Sequence, residues 1–165
     1  REAKGNYDRI YSVGMFEHVG KKFYSTFFKT MNRLLKDDGL FLLHTIGVVD
    51  KPSPPNKFIN KYIFPGGICP SLSQIITPLE KTGLIVADSE TLIRHYDKTL
   101  ESWLERFLNK KNLVKDLFDE KFVKMWEFYL ASCAAAFRYR DLVVFQLQIV
   151  KNFQSAHRTR DYIYS

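Results

Sequence analysis

The stretch that decides the fold is YDRIYSVGMFEHVGKKFYSTFFKTMNRLLKDDGLFLLHTI, Tyr7 to Ile46. Tyr7 to Met15 carries Ile10, Tyr11 and Val13 and turns at Gly14, which predicts a short buried strand. After Gly20, the residues Phe23, Phe27, Met31, Leu34 and Leu35 form the apolar stripe of an amphipathic helix. Lys36-Asp37-Asp38-Gly39 stops that helix. Leu40 to Ile46 is almost continuously apolar, as in a strand buried on both faces of a parallel sheet. Strand, helix and strand with short connections make a βαβ unit.

Beyond this unit, Gly47 to Pro70 holds five of the six prolines and predicts a long ordered loop around a short turn at Ile59–Tyr62. Ser71 caps a helix that runs to about Lys81 and stops at Gly83. Leu84 to Ile93 and Leu142 to Val150 read as strands. Between them lie helices at Lys98 to Leu108 and at Glu120 to about Phe137, a helical insertion covering about 97–140. Residues 1–151 thus form one α/β unit, and the polar tail 152–165 is expected to fray.

The composition narrows the function classes. With 165 residues, 45% of them hydrophobic and 15% aromatic, the chain can bury a core and is not a disordered tail. Its net charge of +7 points to an anionic partner: nucleic acid, a phosphate-bearing ligand or an acidic membrane. No run approaches 18 consecutive apolar residues. Cys69 and Cys133 lack C-x-x-C spacing, which excludes a disulfide framework and a cysteine zinc site and fits a reducing cytoplasm. Glu17, His18 and His44 lack the spacing of a metal motif, so no metal is expected. No nucleic-acid motif is present, and no nucleic-acid partner is expected.

Five strings carry a resemblance: SVGMFEHVG (Ser12 to Gly20), FLLHTIG (Phe41 to Gly47), NKYIFPGG (Asn60 to Gly67), HYDKTLESWLERF (His95 to Phe107) and YLASCAAAFRYRD (Tyr129 to Asp141). In this order they resemble the cyclopropane-fatty-acyl-phospholipid synthases, within the class I S-adenosylmethionine-dependent methyltransferases. The resemblance runs from about Asp8 to Val150. It implies the C-terminal part of a Rossmann-like sheet, strands four to seven in the order 4-5-7-6, with the helical insertion between the last two. It implies transfer of a methylene from S-adenosylmethionine to a cis double bond of a phospholipid acyl chain, with bicarbonate as base. Methyl-branching relatives, small-amine methyltransferases and a non-enzymatic anionic-lipid-binding module are the alternatives.

By the same resemblance, Glu17, His44, Tyr96 and the Ile46 backbone N–H hold the bicarbonate. Val13, Gly14 and His18 lie at the methionine portion of S-adenosylmethionine. Cys133 is the cysteine that the family has had proposed as an active-site residue, although the chemistry needs no covalent nucleophile, so pocket lining is the stronger expectation. Read without the resemblance, Glu17 is a capping or surface carboxylate, His44 a core histidine and Tyr96 a packed aromatic. His95 and His157 have no partner pattern and are expected to be structural or solvated.

The basic excess fits phospholipid headgroups, with Lys51, Lys57 and Lys61 flanking the proline-rich loop and Arg138 and Arg140 following the Ala-rich helix. A solvated surface fits it equally. The expected partner is a phospholipid membrane with unsaturated acyl chains, met peripherally from the cytoplasm. The sequence contains no G-x-G, and the family's glycine turn and ribose-holding acid have no counterpart in it. The expectation is a C-terminal part that by itself is inactive and binds S-adenosylmethionine weakly, its site being incomplete. Its first strand would stand as an open edge through which a homo-oligomer could form.

Overall fold

The computed structural model describes residues 2–51, 54 and 56–164. Residues 52, 53 and 55 of the proline-rich loop lie outside the described residues. The order of elements is β1 (Tyr7–Val13), α1 (Tyr24–Leu34), β2 (Leu35–Val48), α2 (Lys57–Tyr62), α3 (Leu72–Glu80), β3 (Ile85–Leu92), α4 (His95–Leu108), α5 (Lys111–Leu117), α6 (Glu120–Tyr139) and β4 (Leu142–Val150). The sheet order is β1-β2-β4-β3, the expected arrangement, with β1 at an edge. β1 runs parallel to β2, whereas β4 runs antiparallel to both β2 and β3, so the sheet is mixed.

Two features of β2 differ from the sequence reading. Pairing begins at Leu35, directly after α1, and the register slips between Tyr7 and Arg9 because Lys36 to Gly39 bulge from the ladder. Gly39 is required there, since a Cβ would stand 2.7 Å from the Leu35 side chain. The strand is also not buried alike on both faces. Phe41, Leu43 and Thr45 are buried, while Leu42, His44 and Ile46 are half-buried. Alternation of this kind belongs to a sheet whose two faces meet different neighbours.

On one face, Phe41, Leu43, Phe145, Leu147 and Ile149 pack with Phe27 and Phe28 of α1 and Ile75 and Leu79 of α3. Ser71 and Gln74 form a reciprocal capping box that starts α3 as the sequence predicts. On the other face the helical insertion covers the end row: Val144 packs with Leu100, Leu130, Ala134 and Phe137, and Ile46 and Leu92 flank it. A bidentate pair from Arg138 to Asp97, at 2.8 and 2.9 Å, ties α6 to the first turn of α4, and Glu101 adds a further contact. Arg138 is therefore a structural cation and not a free headgroup ligand, which corrects that expectation.

The tail is also anchored, contrary to its polar composition. Asn152 Nδ2 and Ser155 Oγ donate to the Asp37 carbonyl, His157 stacks on Tyr162, and Arg160 and Tyr162 both donate to Asp88 Oδ2 at 2.7 and 2.9 Å. Partial burial opposes ionisation of Asp88, but the hydrogen bonds from Arg160 and Tyr162 outweigh it and hold the carboxyl below its ordinary range. A lowered carboxyl contributes stability above its unfolded value of 3.8 and loses it as pH falls through the folded value. Tail docking is therefore expected to be complete at neutral pH. Asp88→Asn should speed tryptic cleavage after Arg158 and Arg160 several-fold without lowering the melting temperature of the sheet. Unchanged cleavage would show that the anchor does not hold the tail.

Candidate functional site

The site is built where the parallel strands β1 and β2 end, the edge at which open α/β sheets place ligands. Gly14, at φ +65°, turns the chain, and its amide donates to the His44 carbonyl at 3.2 Å. A single 3-10 turn, Phe16–His18, follows. Phe16 is fully buried and stacks on Tyr24 with ring centroids 4.2 Å apart, which pins the turn and carries Glu17 inward. Glu17 Oε1 accepts from the Ile46 amide at 2.7 Å, and the Glu17 carbonyl accepts from the Ile68 amide at 2.9 Å. Glu17 thus joins β1, β2 and the loop before α3. Its second oxygen, Oε2, is buried and has no hydrogen-bond partner among the described residues. The Ile46 amide, expected to serve a bound anion, is engaged by Glu17.

The close approach around Ile46 depends on Gly47. A Cβ there would lie 2.5 Å from the Pro70 carbonyl oxygen and would also collide with the Phe145 ring. Only a glycine lets the loop cross the strand end so tightly, and the Val48 amide then donates to that same Pro70 carbonyl at 3.0 Å.

His44 lies beside Val13 across the parallel pair and beside Gln146 across the antiparallel one. Its Nδ1 is 3.0 Å from Gln146 Oε1. Tyr96 sits in the first turn of α4, against Phe137 and Trp103, and no hydrogen bond from the described residues holds its hydroxyl. Burial, then the Glu17 charge, then Cys133 push the Tyr96 phenol above its ordinary value, so it is a neutral donor at pH 7. Cys133 is half-buried on α6, and burial pushes its thiol up to about 11. It is a protonated lining residue, the opposite of an activated nucleophile.

Tyr129, one turn earlier on α6, is buried against Trp126 and Phe64. Burial, and after it Cys133 and Tyr96, push its phenol up to about 12. Val13 and Gly14 are exposed at the β1 terminus, with nothing within 4 Å of the position a Gly14 Cβ would take. His18 is exposed beside them, its ring edge-on to Phe64 at 5.5 Å. Lys57 and Lys61 are exposed on α2, as is Lys51 before it, and Arg140 ends α6. Among the described residues, no three His, Cys, Asp or Glu side chains cluster as metal ligands, and no helix is long and apolar enough to cross a membrane.

Residues 1–147 match the family described as mycolic acid cyclopropane synthetase. The chain is 42% identical, over 158 residues, to the cyclopropane-fatty-acyl-phospholipid synthase of Escherichia coli (strain K12); this covers 96% of the chain and 41% of that protein. It is 35% identical to a probable fatty acid methyltransferase of Pseudomonas putida, over 93% of the chain and 40% of that protein. The chain thus spans less than half the length of these relatives. Among solved structures, the cyclopropane synthase MmaA2 from Mycobacterium tuberculosis superposes with a TM-score of 0.83 at 30% identity, over 90% of this chain and 56% of that one. Mycolic acid cyclopropane synthase CmaA1 complexed with SAH and CTAB superposes at 0.82 with 33% identity and the same coverage.

Sequence reasoning missed Tyr24, Tyr129 and Gln146 as neighbours of the site. Tyr24 reads as one more aromatic at a helix start, yet its hydroxyl is buried without a partner. Burial, then Glu17, then Cys69 push it up to about 12. Removing an unsatisfied buried hydroxyl should be neutral or stabilising, whereas removing the acceptor of the Ile46 amide should cost about 1–3 kcal/mol. Tyr24→Phe is therefore expected to hold or raise the melting temperature, and Glu17→Ala to lower it. A drop of several degrees in Tyr24→Phe would mean that the hydroxyl is bonded after all.

Proposed function

The chain belongs to the mycolic acid cyclopropane synthetase family, and on that premise we propose that it forms part of an enzyme that converts a cis double bond of a phospholipid acyl chain to a cyclopropane. When bound, S-adenosylmethionine supplies the carbon of the new ring methylene, and bicarbonate supplies the base that takes the proton released on ring closure. The observation that carries this reading is the buried Glu17 carboxylate with one oxygen tied to Ile46 and the other unpartnered. A buried acceptor without a partner calls for a donor. Bicarbonate fits, because it is an anion that still carries an O–H to give to Glu17 Oε2.

Each residue then has a task. Glu17 orients the anion through its hydroxyl, and the Tyr96 hydroxyl donates to it, since its raised pKa keeps the proton in place. His44 stands at the same strand end. The rings of Phe64, Trp126 and Tyr129 pack on one another beside Cys133 and would help keep water from developing positive charge. Cys133, as a protonated thiol, fills space in that wall. The exposed backbone at Val13 and Gly14, with His18 alongside, is where S-adenosylmethionine would rest, since an absent side chain at Gly14 permits close approach. The net charge of +7 with exposed Lys51, Lys57 and Lys61 supports a peripheral encounter with anionic phospholipid at the cytoplasmic face of a membrane.

The similarity to a probable fatty acid methyltransferase favours one second reading, methyl branching without ring closure. There the cation loses its proton from a neighbouring chain carbon and leaves a methyl-branched alkene, an isomer of the cyclopropane that the upfield ring-proton resonances distinguish from it. In the whole protein, given S-adenosylmethionine and unsaturated phospholipid vesicles, Glu17→Gln, His44→Gln and Tyr96→Phe should each lower turnover roughly tenfold to a thousandfold with little change in cofactor affinity. Cys133→Ser should be milder. Near wild-type turnover in Glu17→Gln would overturn the reading, and complete loss in a folded Cys133→Ser would restore the thiol to the chemistry.

A further inference from the structure

The row of side chains that crosses β2, β4 and β3 at His44 is polar. His44, Gln146 and Glu90 are register partners on β2, β4 and β3. They are linked in sequence across the face: His44 Nδ1 to Gln146 Oε1 at 3.0 Å, and Gln146 Nε2 to Glu90 Oε2 at 3.0 Å. The direction of every proton in this chain follows from its far end. An ionised carboxylate only accepts, so the Gln146 atom facing Glu90 must be the amide nitrogen. That leaves the Gln146 oxygen facing His44. An amide oxygen also only accepts, so His44 Nδ1 must carry a hydrogen.

We propose that Gln146 and Glu90 are positioning residues that fix His44 as its Nδ1–H form and so present Nε2, the nitrogen with no protein partner among the described residues, to the reacting end of the site. The ring is held from the β4 side, at the strand end where Glu17 meets Ile46. In the neutral ring Nε2 is then a lone-pair acceptor, and it becomes a donor only when a second proton arrives. Without the ladder the proton could sit on either nitrogen, and the Nε2–H form would present the wrong atom. The same logic governs ligating histidines, whose far ring nitrogen is held by an outer partner that selects the tautomer. The next row supports the ladder mechanically. Gln148 donates to Tyr162, Tyr162 to Asp88, and the docked tail encloses a cavity of about 220 Å³ lined by Asp88, Glu90, Gln146, Gln148, Arg160 and Tyr162.

The inference rests on His44 serving the reaction proposed above, and its test separates the two claims. In the whole protein labelled with 15N-histidine, long-range 1H–15N correlation spectra report which ring nitrogen is protonated, with His44 assigned through its loss in His44→Gln. The neutral ring should show the Nδ1–H form. Gln146→Leu should lose that preference, and Glu90→Gln, on an exposed side chain, should give a mixture because the Gln146 amide is free to turn over. The paired exchange Gln146→Glu with Glu90→Gln keeps an acceptor against His44 and should restore the Nδ1–H form. Turnover should follow the spectra, falling roughly tenfold to a hundredfold in Gln146→Leu and recovering in the exchange, with the KM for S-adenosylmethionine unchanged. An Nε2–H ring in the wild type, or an Nδ1–H ring that survives Gln146→Leu, would overturn the proposal. A tautomer that shifts as expected while turnover stays constant would overturn the positioning role; if His44→Gln is then also fully active, the place of His44 in the proposed reaction fails with it.

Discussion

One hydrogen bond organises the functional end of this molecule: the Ile46 amide donating to Glu17 Oε1 at 2.7 Å. It joins the turn after β1 to the last residues of β2, and the Ile68 amide draws the loop before α3 onto the same residue. A carboxylate placed in a buried position is costly unless its oxygens are satisfied. Here one oxygen is satisfied and the other is left open, so the fold itself creates a demand for a donor. The neighbouring requirements follow from it. Gly47 must be glycine for Pro70 to approach, Phe16 must be buried to pin the turn, and Tyr96 and Tyr129 are kept neutral by burial around the same point.

The two faces of the sheet divide the labour. Below β2 and β4, α1 and α3 bury an aromatic and aliphatic core that has no polar function. Above, coverage comes from three sources in succession along the strands: the helical insertion over Ile46 and Val144, the polar ladder at His44, and the folded-back tail over Gln148 and Asp88. The Arg138–Asp97 fork keeps α4 and α6 together and so fixes Tyr96 and Cys133 relative to the strand ends. The polar ladder and the helical insertion that carries Tyr96 and Cys133 thus lie on the face opposite the α1–α3 core.

How much of this could be read from the sequence depended on the range of the interactions. β4 was legible to the residue, Leu142–Val150, because seven apolar residues in a stretch of nine are a local signal. The Ser71 cap was legible because Gln74 answers it three residues away. The start of β2 was not, since Lys36 to Gly39 look like a loop and pair only because Leu35 finds Tyr7. The tail was misread for a similar reason: its polar residues are anchored on Asp37 and Asp88, far away in the chain. Glu17, His44 and Tyr96 were located through motif resemblance. The His44 partner Gln146, and Glu90 beyond it, emerge only from the register of three strands, which no single segment encodes.

In the proposed reaction Glu17 Oε2 receives a proton-bearing anion at the site of methylene transfer. A crystal structure of the whole protein with S-adenosylhomocysteine and bicarbonate tests it most directly. Bicarbonate is expected within hydrogen-bond distance of Glu17 Oε2 and of the Tyr96 hydroxyl, with the Ile46 amide still on Glu17 Oε1. Bicarbonate bound elsewhere, or Glu17 Oε2 bonded to a protein donor in that complex, would contradict it.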